Sequence, residues 1–474
     1  MLVLTLSLLA LTPASALETI SLDPARQFQT IESFGTSGCW WSQYAGLWDM
    51  PFEDSGMSVR DQIAVWLFDR EQGIGLTGYR FNLGAGSADS RKGTYQDEYR
   101  RTRNFEVAPG EYDFGRDPGA TWFLERAAEL GVREVVLFCN SPLERLTISG
   151  TAQMTKGSKK TNIRPENYGP WAQYCLDVAE HFLSLGIPVR YLSPINEPQW
   201  DWLEGNQEGC HFEPKQAADV YLAFLNELER RPALASVELS GPEGGEWGGN
   251  TGKYVDALLK NARLSRHMSA IDCHSYWSST KDKESFASWM QRRYPGRALR
   301  MSEWCEMVNG PDVGMSSALE LARTLSEDLS ILNVVSWSSW VAVAPGDYHD
   351  GLMYASEDAD GQVSLTALKR LWAFGNYARY IRPGYVKIDT QGPKDLCAVS
   401  FLGEEDGKQK LIVVLVNQKL SSQDVTLSGI PAAMHADFLS ETSADMDLLE
   451  TPLSGAQRDF TLPPRSVITL VFSD

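Results

Sequence analysis

No two of the seven cysteines (Cys39, Cys139, Cys175, Cys210, Cys273, Cys305 and Cys397) fall close together, and the six histidines show no ligand spacing. That excludes a zinc motif and a small disulfide-stapled scaffold, and leaves buried thiols acting as small hydrophobes as the ordinary reading. Basic residues are also scarce. The chain has 43 Lys and Arg against 62 Asp and Glu, a formal net charge of −19, which repels phosphate backbones and anionic lipid and argues against nucleic acid or a membrane surface as partner. Beyond residue 16 there is no apolar run long enough to span a bilayer. Low-complexity linkers and internal repeats are missing too, and 43% hydrophobic content over 474 residues excludes a disordered chain.

What is present begins with an apolar leader. Met1–Ala16 ends in Ala14-Ser15-Ala16, the small-residue pattern of a signal-peptide cleavage site, although the usual positive n-region is absent. The expectation is a secreted, periplasmic or cell-surface protein. Fifteen Trp and seventeen Tyr supply flat apolar rings that suit an uncharged sugar, though core burial is the common fate of any one of them.

From Phe34 to Ile381 short β-rich runs alternate with longer helical patterns, as in repeated βα units around a parallel sheet. Eight strand candidates end near Gly38, Phe81, Asn140, Asn196, Gly241, Tyr276, Glu303 and Trp340. Trp171, Tyr174, Cys175, Val178 and Phe182 recur at helical spacing between two of them. Eight units predict an α/β fold, a (β/α)8 TIM barrel over residues 31–381. After Pro383 the pattern changes to β-runs at Tyr385–Ile388, Ala398–Phe401, Leu411–Val416, Asp424–Leu427 and Ser466–Phe472, with Asp406-Gly407 as a turn signal inside a loop longer than two residues. These predict an appended antiparallel β-sandwich of residues 382–474, which 17–30 could join because chain termini often meet.

In such a barrel the C-terminal strand ends share one pocket. The run Leu192-Ser193-Pro194-Ile195-Asn196-Glu197-Pro198 predicts a strand that stops at Glu197, since proline cannot donate to a ladder. The run Ala298–Trp304 brings Glu303 to the end of strand seven. Two carboxyl groups across a sugar-sized gap can hydrolyse a glycosidic bond, one protonating the leaving oxygen and the other attacking the anomeric carbon. Arg80, at the end of strand two, is expected to pair with the nucleophile and keep it ionised. Asn196 is expected to donate to a substrate hydroxyl, and His274 or Tyr276 to orient a carboxylate. Trp40, Trp41, Trp304, Trp337 and Trp340 are candidates for the pocket wall and floor, with Trp200, Trp202 and Trp247 as further sugar platforms. Each has a structural alternative: Glu197 as a loop cap, Glu306 as nucleophile if strand seven runs longer, Arg80 as a structural ion pair, His274 as a core histidine.

Taken with Phe34-Gly35-Thr36-Ser37-Gly38, Trp40-Trp41, Asn140-Ser141-Pro142, Asn196-Glu197-Pro198, Ser302-Glu303 and Ala373–Gly384, these residues resemble glycoside hydrolase family 30 of clan A. The resemblance covers nearly the whole chain, and the Gly-Thr-Ser-x-x-Trp-Trp arrangement looks most like the endo-β-1,6-galactanase branch. It implies Glu197 as acid/base and Glu303 as nucleophile of a retaining enzyme that needs no metal or organic cofactor; with the acidic charge and the tryptophans, the expectation is a monomer acting on a neutral oligo- or polysaccharide. A β-1,6-glucanase, a xylanase, an exo-β-glycosidase or a glucosylceramidase-like activity stays open, as does a non-catalytic sugar-binding barrel. One departure stands out. Many members carry an aromatic residue soon after strand three, whereas this chain has Leu143-Glu144-Arg145.

Overall fold

A computed structural model describes residues 17–53, 55–90, 97–154, 160–202 and 206–474; the leader lies outside them. Eight parallel strand positions close into a barrel: Ser33–Ser37, Gly78–Asn82, Glu134–Phe138, Val189–Ser193, a split fifth strand (Glu238–Leu239 and Pro242–Gly244), Ala270–His274, Ala298–Trp304 and Ser336–Val341. The split strand completes the ring. Its first piece pairs with strand four and continues through the Ser240 amide to the Leu192 carbonyl, while its second pairs with strand six, whose Asp272 amide donates to Gly241.

Helices cover the barrel where the apolar period predicts them. On Tyr168–Ser184 the residues Trp171, Tyr174, Cys175, Val178 and Phe182 all face inward and are buried. Strand four ends at Ser193 rather than at Glu197, because the first proline, Pro194, already lacks the donor a ladder needs. Glu197 therefore sits on a loop.

The inside of the barrel is polar in two layers. At its N-terminal end Arg300 meets Glu134 at 2.6 Å, Glu32 at 2.7 Å and Asp272 at 3.1 Å. Burial raises Asp272 to about 7, with Arg300 opposing and Glu243 adding to the rise. The upper layer is the candidate active site.

The C-terminal strands form one curled nine-stranded sheet, into which Glu18–Thr30 is inserted between Val386–Gln391 and Gln423–Ser428. All its pairs are antiparallel except the last of these, where Glu18–Ser21 runs parallel to Val425–Ser428. One face encloses Ile20, Leu22, Val413, Leu415 and Leu470, while the other sets Phe401, Val414 and Val471 into the barrel's own core. Within the strand Lys408–Asn417, Leu411–Val416 accordingly reads as a continuous apolar run, buried on both faces. The turn before it is shorter than expected: Glu405 pairs with Lys408, and Asp406 and Gly407 alone make the loop, both at positive φ. That is the geometry that matches strand twist.

Candidate active site

Strand periodicity turns Arg80 and Glu303 inward near the C-terminal end of the barrel, and both are buried. Arg80 Nη1 donates to Glu303 Oε2 at 2.6 Å, and Nη2 donates to Asn196 Oδ1 at 2.9 Å. The guanidinium lies 3.6 Å from the centre of the Phe138 ring, so its plane is fixed by stacking as well as by charge. Tyr276 Oη donates to the other oxygen of Glu303 at 3.1 Å. Asn196 passes its own amide to Asn140 Oδ1 at 3.1 Å.

Glu197 faces this group from the loop after strand four, at φ +43°. Its amide donates to the carbonyl of Glu243 at 2.9 Å, and its Oε1 lies 3.2 Å from His274 Nδ1. One oxygen of Glu197 and one of Glu303 lie within 4.8 Å of each other.

His274 sits beneath both carboxylates, 3.5 Å from Glu303, and turns its Nε2 to Glu243 at 3.1 Å. Burial opposes a charge on the ring, but Glu303, Glu197 and Glu243 together raise its pKa to about 10. Both ring nitrogens therefore carry protons. Glu197, His274 and Glu303 each offer one ligand atom within 4.8 Å of the others, near enough to share a metal ion.

Glu243 is the residue that sequence reasoning missed. It is fully buried at φ +57° on the second piece of strand five, accepts from Ser302 Oγ and His274, and lies 3.5 Å from Arg80 Nη2. Burial alone would lift its carboxyl, yet Arg80, His274 and Ser302 outweigh it and leave the group at about 2. Its signal was the carboxylate in Ser240-Gly241-Pro242-Glu243-Gly244, at a predicted strand end. For Glu303 the balance tips the other way. Burial raises it, Arg80 and His274 oppose the rise, and Glu197 and Glu243 add to it, so Arg80 does not by itself keep this carboxyl at an ordinary value.

Above the carboxylates lies a cleft of about 580 Å³ whose walls include Trp40, Tyr99, Trp340, Trp202 and Trp277. Trp40 and Trp340 meet edge to face at 5.2 Å. Four of the tryptophans expected there are elsewhere. Trp41 is buried against Phe123, with its Nε1 donating to the Ser37 carbonyl. Trp337 is fully buried, donates to Asp328 Oδ2 at 3.0 Å and packs on Trp304, which also belongs to the core. Trp247 is likewise buried. Arg80 and His274 act through the carboxylates and do not line the cleft. Glu306 pairs with His349 at 2.9 Å beyond the end of strand seven, and Arg145 pairs with Glu106, so neither charge reaches the carboxylate pair.

A closed βα barrel that holds two facing carboxyl groups at the C-terminal mouth, under an aromatic-walled cleft, is the architecture of an O-glycoside hydrolase. The chain belongs to O-Glycosyl hydrolase family 30, which residues 17–354 match. It is 24% identical over 439 residues to an endo-beta-1,6-galactanase of Hypocrea rufa, a match covering 87% of this chain and 84% of that one. Among solved structures it is similar to a conserved exported protein from Bacteroides fragilis, with a TM-score of 0.83, 23% identity and coverage of 96% and 100%. The catalytic domain of a family 30 xylanase C from Talaromyces cellulolyticus superposes with a TM-score of 0.75 at 19% identity, again over 96% and 100%. At these identities the structural likeness speaks for the fold alone.

Proposed function

We propose that this chain is a retaining endo-β-1,6-galactanase, with Glu303 as nucleophile and Glu197 as acid/base. The observation that carries the mechanism is that one oxygen of Glu197 lies within 4.8 Å of one oxygen of Glu303, the near approach that direct attack by a carboxylate requires, whereas an inverting pair stands about 6.5 to 9.5 Å apart to leave room for a water. Glu303 forms a bond to the anomeric carbon as the glycosidic C–O bond breaks, and Glu197 gives its proton to the departing oxygen. Glu197 then takes a proton from water, whose oxygen attacks the same carbon and releases Glu303. Arg80 and Tyr276 hold Glu303 from two sides, so that its attacking oxygen is aimed before substrate arrives.

Charge balance leaves one proton to the catalytic pair as a whole. Glu197, Glu243 and Glu303 face two cations, Arg80 and protonated His274, and neutrality is reached when one carboxyl holds a proton. Glu243 is held ionised at about 2, which leaves the proton to the pair that uses it. Asp347 and Asp350 line the cleft, where Asp97 is paired with Arg100, and the excess of negative charge favours a neutral sugar chain over a uronate. The resemblance to the Hypocrea rufa enzyme supports the sugar and the linkage, and the leader Met1–Ala16 supports secretion.

Replacing the nucleophile tests the chemistry: Glu303→Gln is expected to lower kcat by at least about four orders of magnitude while oligosaccharide binding persists in calorimetry. Hydrolysis at the parental rate would move the nucleophile elsewhere. Product analysis on β-1,6-galactan, β-1,6-glucan and glucuronoxylan tests the sugar. Preferred release of short oligosaccharides from glucan or xylan would replace the galactanase reading.

A further inference from the structure

Two indole rings beside the acid/base residue stand out by being both exposed and constrained. Trp277 is 57% exposed and Trp200 39%, and they meet edge to face with centroids 5.6 Å apart. Single exposed apolar side chains are ordinary on a protein surface, but a contiguous pair at the rim of a cleft is a different case. Trp277 also has φ +48°, and Trp202, which lines the same cleft, has φ +52°. Such a left-handed backbone is strained for a bulky residue, and a ring left more than half in water recovers little of that by burial.

The position of these rings relative to the reaction is fixed by their anchors. The Trp200 amide donates to the Glu197 carbonyl at 3.2 Å, and Trp202 Nε1 donates to the same oxygen at 3.3 Å. Trp277 follows Tyr276 directly and packs on it at 5.5 Å. Trp200 and Trp202 therefore stand on the side of Glu197, and Trp277 reaches that side through its contact with Trp200. The proton donor lies on the side of the departing sugar.

We propose that Trp277, buttressed by Trp200, is a stacking platform for a sugar unit on the leaving-group side, so that the substrate is a chain that continues past the bond being cut. The occupant is a neutral pyranose that presents its apolar face of C–H groups to the exposed indole, a contact of the kind that Trp makes with one apolar surface and one wet one. This rests on the retaining endo-glycosidase reading above and adds to it the two residues that hold the chain on the leaving-group side.

The test compares two substrates in the parent, Trp277→Ala and Trp277→Phe. One is β-1,6-galactotetraose, which fills the leaving-group side; the other is β-1,6-galactobiosyl fluoride, whose fluoride leaves that side empty. In Trp277→Ala the ratio of kcat/KM for tetraose to that for fluoride is expected to fall about tenfold, the scale of one lost aromatic contact, and in Trp277→Phe to return most of the way. A ratio unchanged in both variants, or an equal loss on both substrates, overturns the platform. If the parent cleaves neither compound while Glu303→Gln changes nothing on any β-glycoside, the failure belongs to the proposed function and not to Trp277.

Discussion

Glu243 shows how one buried side chain can govern two others. His274 is ringed by the carboxylates of Glu197, Glu243 and Glu303 and by the Tyr276 ring, and burial, the largest influence on it, works against its charge. Removing the charge of Glu243 lets burial count for more, so the imidazolium gives up its proton at lower pH. For Glu243→Gln we expect the His274 titration to move down by at least about one pH unit, some 1.4 kcal/mol of lost preference for the charged ring. Glu243→Asp, which keeps the charge, is expected to hold that titration in place. Imidazole nitrogen resonances followed against pH read the effect; superimposable titrations for parent and Gln variant would remove Glu243 from this role. The paired glutamates and Arg80 were legible in sequence because each ends a recognisable apolar run. Glu243 was hidden by the Gly241-Pro242 break, which splits its strand into pieces too short to show a period. The misplaced tryptophans had a clue. Side chains three apart on a strand point to opposite faces, so Trp337 and Trp340 could not both reach the pocket, and neither could the neighbours Glu303 and Trp304.

Among elements, the loops carry the precision. All eight strand ends were legible to within a few residues, because apolar alternation and its interruption are local signals, yet the path of the loop bearing Glu197 was not, because it depends on what packs across the barrel mouth. That loop lies against the one following strand five. A Cβ placed on Gly245 would come within 2.8 Å of Glu197 Oε1 and 2.6 Å of Gln199 Nε2. Both are ends of flexible side chains, so Gly245→Ala is expected to fold with a melting temperature near that of the parent while pushing the Glu197 carboxyl aside. A displacement near 1 Å at a reacting group costs on the order of a hundredfold in rate, and kcat on galactan is expected to drop on that scale. Parental kcat would mean that Glu197 has room to yield and that the close approach has no catalytic weight. The two-residue turn at Asp406-Gly407 was read as a longer loop for a related reason: the strands run right up to it, and their final residues are charged.

At the scale of the whole molecule, the first described strand, Glu18–Thr30, does not belong to the barrel it precedes. It fills the gap between Val386–Gln391 and Gln423–Ser428 and buries Ile20 and Leu22 in the second core. Each of those side chains contributes roughly 1.5 to 3 kcal/mol on burial, and without the strand two sheet edges would lie open to self-association. That sheet is in turn fastened to the barrel through the helix Lys369–Ala378, where Asn376 donates to Thr442 at 2.7 Å and Thr469 donates to the Asn376 carbonyl at 2.6 Å, and through the bidentate pair of Arg70 with Glu405. Because Phe401, Val414 and Val471 share a core with the barrel helices, loss of the strand should be felt throughout. A chain beginning at Leu17, the residue after the expected cleavage site, keeps the strand; one beginning at Ile31 lacks it. We expect the first to melt in a single calorimetric transition, and the second to melt several degrees or more lower, since each 1 kcal/mol is worth about 2 to 4 °C in a domain of 150 to 250 residues, and to elute partly as aggregate. Equal melting temperatures for the two chains would show that the sheet closes without its inserted strand and that the barrel is stable independently of it.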